Sequence, residues 1–97
     1  GELVLDAEKY TVMVQGELVV LTRKEFELLK LLLENKGIVL TRNRILENIW
    51  GYDFDGETRT VDVHIRTLRS KLGGAGAMIE TVRGIGYKAN NTQEITE

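Results

Sequence analysis

The hydrophobic period of this chain changes twice, and that pattern leaves few folds open. Over residues 1–21, "ELVLD", "YTVMV" and "ELVVL" alternate apolar and polar side chains, the two-residue repeat of half-buried strands. "AEK" and "QG" separate them, and Gln15-Gly16 suits a hairpin turn. From residue 22 the repeat lengthens to that of a helix. Near residue 78 it shortens again, in "MIETV", "RGIG" and "YKA". The order is therefore an antiparallel sheet of three or four strands, then helices, then a hairpin, an α+β pattern.

Thr22 followed by Glu25 is a capping box, so a helix starts there. Phe26, Leu28, Leu29, Leu31, Leu32 and Leu33 cover more than half of its circumference. An ordinary amphipathic helix has a narrower stripe, so this one is expected to pack on both the sheet and other helices. Asn35-Lys36-Gly37 ends it, and "IVL" (38–40) reads as a short strand. Thr41 caps a second helix with Ile45, Leu46, Ile49 and Trp50 turned inward, and Gly51 stops it. "GYDFDGET" (51–58) is a loop. "RTVDVHIRTLRSKL" (59–72) is a third helix, and "GGAGA" (73–77) a flexible turn. Two consecutive helices resemble a helix-turn-helix unit with a lengthened turn, and a hairpin directly after them makes a wing.

On a wheel of about 100° per residue, Val61, Ile65, Leu68 and Leu72 of the third helix fall within roughly 60° of one another, forming a buried seam. Opposite lie Arg59, Val63, Arg66 and Ser70, with Thr67 beside them. Arg69 and Asp62 flank one side, His64 and Lys71 the other. Such a face suits a DNA major groove, which admits one helix. An Arg fork matches the acceptor pair of guanine, a small apolar side chain touches a thymine methyl, and flanking cations hold phosphates. The competing reading is a solvated helix whose arginines pair with nearby acids. In "ETVRGIGYK", glycines allow a tight turn that lifts Arg83 off the body. An Arg so placed suits a narrow, electronegative minor groove; the alternative is a solvent-facing turn residue. Thr81 and Lys88 would hold the adjacent backbone.

Charge supports the groove reading. The net charge is −2, yet residues 58–88 carry six Lys/Arg against two Asp/Glu, while residues 1–57 carry seven against eleven. A basic segment in an acidic chain suggests a polyanion partner. With 97 residues the chain is one domain, expected over residues 1–89, with 90–97, "NNTQEITE", a fraying tail. It contains no Cys, which excludes disulfides and Cys-based metal sites and fits a reducing compartment. No apolar run approaches the roughly 18 residues of a membrane span, and no signal-peptide pattern opens the chain. It starts directly on strand-like sequence at Gly1, as a domain cut from a longer protein would.

An enzyme needs titratable groups converging in a pocket. The single His, His64, lies on a helix flank without an evident carboxylate partner, so no catalytic residue is assigned. Asp53-Phe54-Asp55-Gly56 starts like a calcium loop but lacks the middle Asp/Asn and the spaced Glu, so it reads as a solvated acidic loop, and neither metal nor cofactor is expected. A second rival is a domain of the same fold that binds only proteins. Salt dependence separates it from a DNA binder.

"RTVDVHIRTLRSKL" followed by "IETVRGIGYK", together with "LTRKEFELLKLLLENKGIVLTRNRILENIW", resembles the DNA-binding output domain of OmpR/PhoB-family response regulators, from about Leu3 to Lys88. The resemblance implies a winged helix-turn-helix behind a four-stranded N-terminal sheet, acting in the cytoplasm on transcription. It implies an upstream receiver domain, phosphorylated on Asp, that these residues do not include, and two copies bound head to tail on direct-repeat promoter sites. It places DNA contacts at Arg59, Val63, His64, Arg66, Thr67 and Arg69 of the helix and at Thr81 and Arg83 of the hairpin. The loop with Tyr52, Asp53, Asp55 and Glu57 corresponds to the segment that touches RNA polymerase in activators, with Trp50 anchoring it. Thr67 stands where several relatives carry a basic residue: either a contact is lost, or its hydroxyl and methyl replace it. Ala89 is smaller than the apolar residue usual there, which implies a less firmly docked last strand.

Overall fold

The computed structural model describes residues 3–52, 54 and 56–90, in which β1 (Leu3–Asp6), β2 (Thr11–Val14) and β3 (Glu17–Val19) form an antiparallel meander. Gln15 and Gly16, both at positive φ (53° and 83°), make the tight turn between β2 and β3. Among the described residues this sheet has three strands, not the four that the family resemblance implies. After Val19 the chain turns away to reach the cap of the first helix.

α1 (Arg23–Glu34) begins with the expected reciprocal cap. The Glu25 amide donates to Thr22 Oγ1 at 3.2 Å, and the Thr22 amide donates to Glu25 Oε1 at 2.9 Å. Two of the amides that a helix start leaves without partners are thereby satisfied. Phe26, Leu28, Leu29 and Leu32 are buried, and Leu31 and Leu33 pack at the margin, so the broad apolar face does meet both sheet and helices. Each fully buried Leu contributes about 1.5–3 kcal/mol of transfer free energy.

The "IVL" strand is shorter and later than the sequence suggests. β4 is Leu40–Thr41 alone, and Ile38 and Val39 stay exposed. Thr41 then caps α2 (Arg42–Trp50), accepting from the Arg44 amide at 3.1 Å, and Gly51 at φ 98° terminates it. Lys24 of α1 closes that end by donating to the Ile49 carbonyl at 2.9 Å, a cation where the helix dipole favours one.

α3 (Arg59–Leu72) buries Val61, Ile65, Leu68 and Leu72, the seam read from the sequence. "GGAGA" is not a flexible turn. Residues Gly73–Met78 form a 3-10 helix, and Gly76 is buried where an added Cβ would meet the Arg69 carbonyl oxygen at 2.6 Å. β5 (Ile79–Val82) and β6 (Gly86–Ala89) form the hairpin, and β6 also pairs with β4, giving the order β4-β6-β5. Ala89 is wholly buried, and its carbonyl accepts from the Gly37 amide at 2.8 Å, so the small side chain does not leave β6 loose. The expected tail lies, from Asn91 onward, outside the described residues. No helix among the described residues is long and apolar enough to cross a membrane.

Candidate nucleic-acid interface

The face of α3 opposite its seam is open. Val63 is 50% exposed, Arg59, Arg66, Thr67 and Ser70 are exposed, and among the described residues no carboxylate pairs with Arg59, Arg66 or Arg83. A valine left half-exposed between two guanidinium groups is little rewarded by the fold itself. Arg83 and Gly84 (φ 76°) form the tip of the hairpin turn, which the Ile85 amide closes on the Val82 carbonyl at 2.9 Å. Ile85 is 51% exposed beside Arg83. Sequence reading passed over it, although an isoleucine between two turn glycines has no route to a core.

The flanking groups behave differently. Lys71, expected at the groove edge, donates to Glu25 Oε1 at 2.8 Å, and its charge serves the fold. Arg69 turns toward the hairpin. Its Nε and Nη2 donate to the Ile79 carbonyl at 3.1 and 2.7 Å, and Nη2 also donates to Thr81 Oγ1 at 2.7 Å. The guanidinium also lies 5.7 Å from the Tyr87 ring centroid, within cation–π range. Lys88 pairs loosely, at 4.0 Å, with Glu80 opposite it on β5.

His64 is half-buried, its ring set edge-on against Trp50 with centroids 4.8 Å apart. Its Nδ1 lies 3.0 Å from the Thr60 carbonyl. A carbonyl only accepts, so Nδ1 carries the proton and Nε2 is left for an outside partner. Thr67 donates its hydroxyl to the Val63 carbonyl at 3.1 Å, which commits its proton to the helix.

Asp62 is the residue whose role sequence reading missed. It lies in the first turn of α3, where its Oδ1 accepts from Arg42 Nε at 2.8 Å and from the Tyr87 hydroxyl at 2.5 Å. Burial alone would raise its pKa. The Tyr87 hydroxyl and the Arg42 guanidinium outweigh that and hold it below the ordinary 3.8. No sequence signal links residues 20 and 25 positions away.

In the loop after α2, Tyr52 is 84% exposed and Glu57 is exposed, while Phe54 packs toward Trp50 with centroids 6.1 Å apart. Trp50 thus anchors the loop as expected. Asp53 and Asp55 lie outside the described residues.

A cationic helix face, a second helix crossing behind it and a hairpin tied to its flank define a winged helix-turn-helix domain. The chain belongs to the OmpR/PhoB family of response-regulator output domains: residues 16–89 match the family model described as "Transcriptional regulatory protein, C terminal". It is 51% identical over 88 residues to the regulatory protein VanRB of Enterococcus faecalis, an alignment covering 91% of this chain and 39% of that protein. The chain spans about two fifths of the length of the curated relatives it matches. Among solved structures, the response regulator DrrB, a Thermotoga maritima OmpR/PhoB homolog, superposes with TM-score 0.86 at 35% identity, covering 94% of this chain and 42% of that one. The Klebsiella pneumoniae RstA DNA-binding domain, solved in complex with the RstA box, superposes with TM-score 0.83 at 38% identity, covering 93% and 92%.

Proposed function

We propose that this chain is the DNA-binding output domain of a cytoplasmic two-component response regulator and controls transcription by binding duplex DNA sequence-specifically. The observation that carries this reading is the open face of α3. Arg59 and Arg66 surround an exposed Val63 and have no carboxylate partner among the described residues, and Arg83 projects from the adjoining turn. The solved complex of the similar RstA domain supports it.

In this reading α3 enters the major groove. Arg66 reads a guanine edge, Val63 and the Thr67 methyl meet thymine methyls, Arg59 reaches a phosphate, and the His64 Nε2, an acceptor in this tautomer, takes a base amino hydrogen. Arg69 and Thr81, joined at the rim, face the backbone between the grooves, and Arg83 enters the minor groove. Two copies bind head to tail on direct repeats. In the whole regulator an upstream receiver domain acts on this output domain. The loop with Tyr52, Asp53, Asp55 and Glu57 meets RNA polymerase, so substituting Asp53 or Asp55 lowers transcription and spares DNA binding.

Selection of bound sequences from a random duplex pool, followed by salt titration on the winner, tests the reading. Two tandem half-sites about one helical turn apart are expected, with log K falling linearly in log salt by about 0.9 per phosphate neutralised. Enrichment of no sequence, or an affinity indifferent to salt, would instead favour a protein-binding module.

A further inference from the structure

The recognition helix and the wing are tied together at two levels. Near the start of α3, the Asp62 carboxylate takes the hydroxyl of Tyr87 from the middle of β6. Two turns later, Arg69 grips the Ile79 carbonyl and Thr81 on β5. The Tyr87 ring, only 5% exposed, lies beside both ties: its hydroxyl meets Asp62, and its ring meets the Arg69 guanidinium. Arg42, the first residue of α2, joins the same Asp62 oxygen. Three helical and hairpin elements therefore meet on one carboxylate oxygen.

A carboxylate on a helix that faces phosphates is costly for binding unless it does something else. Here its charge is offset by Arg42, and its oxygen is used to hold the hairpin. A hairpin attached to its helix only by a turn and by apolar packing can rock about its strand axis. Two directional ties on one helix remove that freedom, and preorganised contacts avoid the ordering cost on binding. A wing already held beside its groove adds its contact as an intramolecular step.

We propose that Asp62, Tyr87 and Arg42 are positioning residues that set the wing against the recognition helix, so that Arg83 reaches the minor groove in the same register in which Arg66 reads the major groove. The inference rests on the two-groove reading above. None of the three touches DNA in it; each acts through the placement of Arg83.

A double-mutant cycle tests this, because a positioning role makes two distant substitutions non-additive. Tyr87→Phe keeps the buried ring and removes only the hydroxyl. Affinity of the 97-residue chain for its selected duplex is measured for the parent, Tyr87→Phe, Arg83→Ala and the double variant, with circular dichroism confirming the fold of each. Tyr87→Phe is expected to weaken binding about tenfold in the parent and less than about twofold once Arg83 is gone. The same cycle with Asp62→Asn, which preserves an acceptor oxygen, is expected to show a smaller loss that likewise vanishes without Arg83, and it stands in should Tyr87→Phe unfold. Equal losses with and without Arg83 would overturn the positioning role while leaving the two-groove reading intact. If Arg83→Ala alone changes nothing, the two-groove reading fails and the positioning role with it.

Discussion

Lys71 Nζ lies 2.8 Å from Glu25 Oε1, so the last turn of the recognition helix is fastened to the carboxylate that caps the start of α1. The same oxygen accepts the Thr22 amide at 2.9 Å, and the Glu25 side chain is only 5% exposed. One buried carboxylate thus closes a helix start and pins a second helix 46 residues away in sequence. Replacing Lys71 by Met, which keeps most of the aliphatic stem, leaves that carboxylate short of its cation. A loss of roughly 1–3 kcal/mol in unfolding free energy is expected from urea titration. A midpoint unchanged from the parent would show that water replaces the ammonium without cost.

The same contact makes stability depend on acid. Burial pushes the Glu25 carboxyl upward, but Lys71 and the Thr22 amide outweigh it, and its pKa lies below the ordinary 4.5. Asp62 is likewise depressed below 3.8. A group whose folded pKa is depressed contributes stability above its unfolded pKa and loses it as pH falls through the folded value. Stability is therefore expected to hold through neutral pH and to decline below about pH 4.5, as both carboxylates take up protons. The decline should be shallower in Lys71→Met, and urea midpoints collected from about pH 6 to pH 3 read it directly. Parallel curves for the two proteins would remove Glu25 from the explanation.

Arg66 stands on the exposed face of α3 with no carboxylate partner among the described residues. Arg66→Ala should cost about 1–3 kcal/mol on the selected site and relax the base preference at one position. Binding to random duplex should fall less. Equal losses on both DNAs would make Arg66 a phosphate contact.

At Thr67 the hydroxyl proton is committed to the Val63 carbonyl, so the side chain offers a base its methyl and an oxygen that can only accept, and the methyl is proposed as the discriminating group. Thr67→Ser, which keeps the hydroxyl and deletes the methyl, should lose about 0.8 kcal/mol of preference for thymine over uracil at the contacted position. Thr67→Val should keep that preference. The opposite ranking in competition binding with thymine- and uracil-containing duplexes would assign the role to the hydroxyl.

Gly86 sits where β6 crosses β4, and a Cβ there would stand 1.9 Å from the Leu40 carbonyl oxygen. That obstacle is backbone, so the strands must part. Gly86→Ala should destabilise the domain by about 1–3 kcal/mol in thermal or urea unfolding. A variant as stable as the parent would mean that β4 is dispensable to the wing.

What could be read in the chain beforehand is what depends on near neighbours. The Thr22–Glu25 and Thr41 caps, the stops at Gly37 and Gly51, the Gln15-Gly16 turn, the α3 seam and the exposure of Val63 all follow from spacings of a few residues, which local geometry alone sets. The two-residue length of β4 and the order β4-β6-β5 needed the assembled fold, because a strand extends only as far as its partner reaches. The fates of the charges needed it too. Arg69, Lys71 and Asp62 looked alike as flank residues of one helix, yet Arg69 meets a strand, Lys71 a helix cap and Asp62 a tyrosine and an arginine. A side chain's position around its own helix sets its direction. Whether a partner waits there depends on elements 10 to 46 residues away, and only their packing brings them within bonding distance.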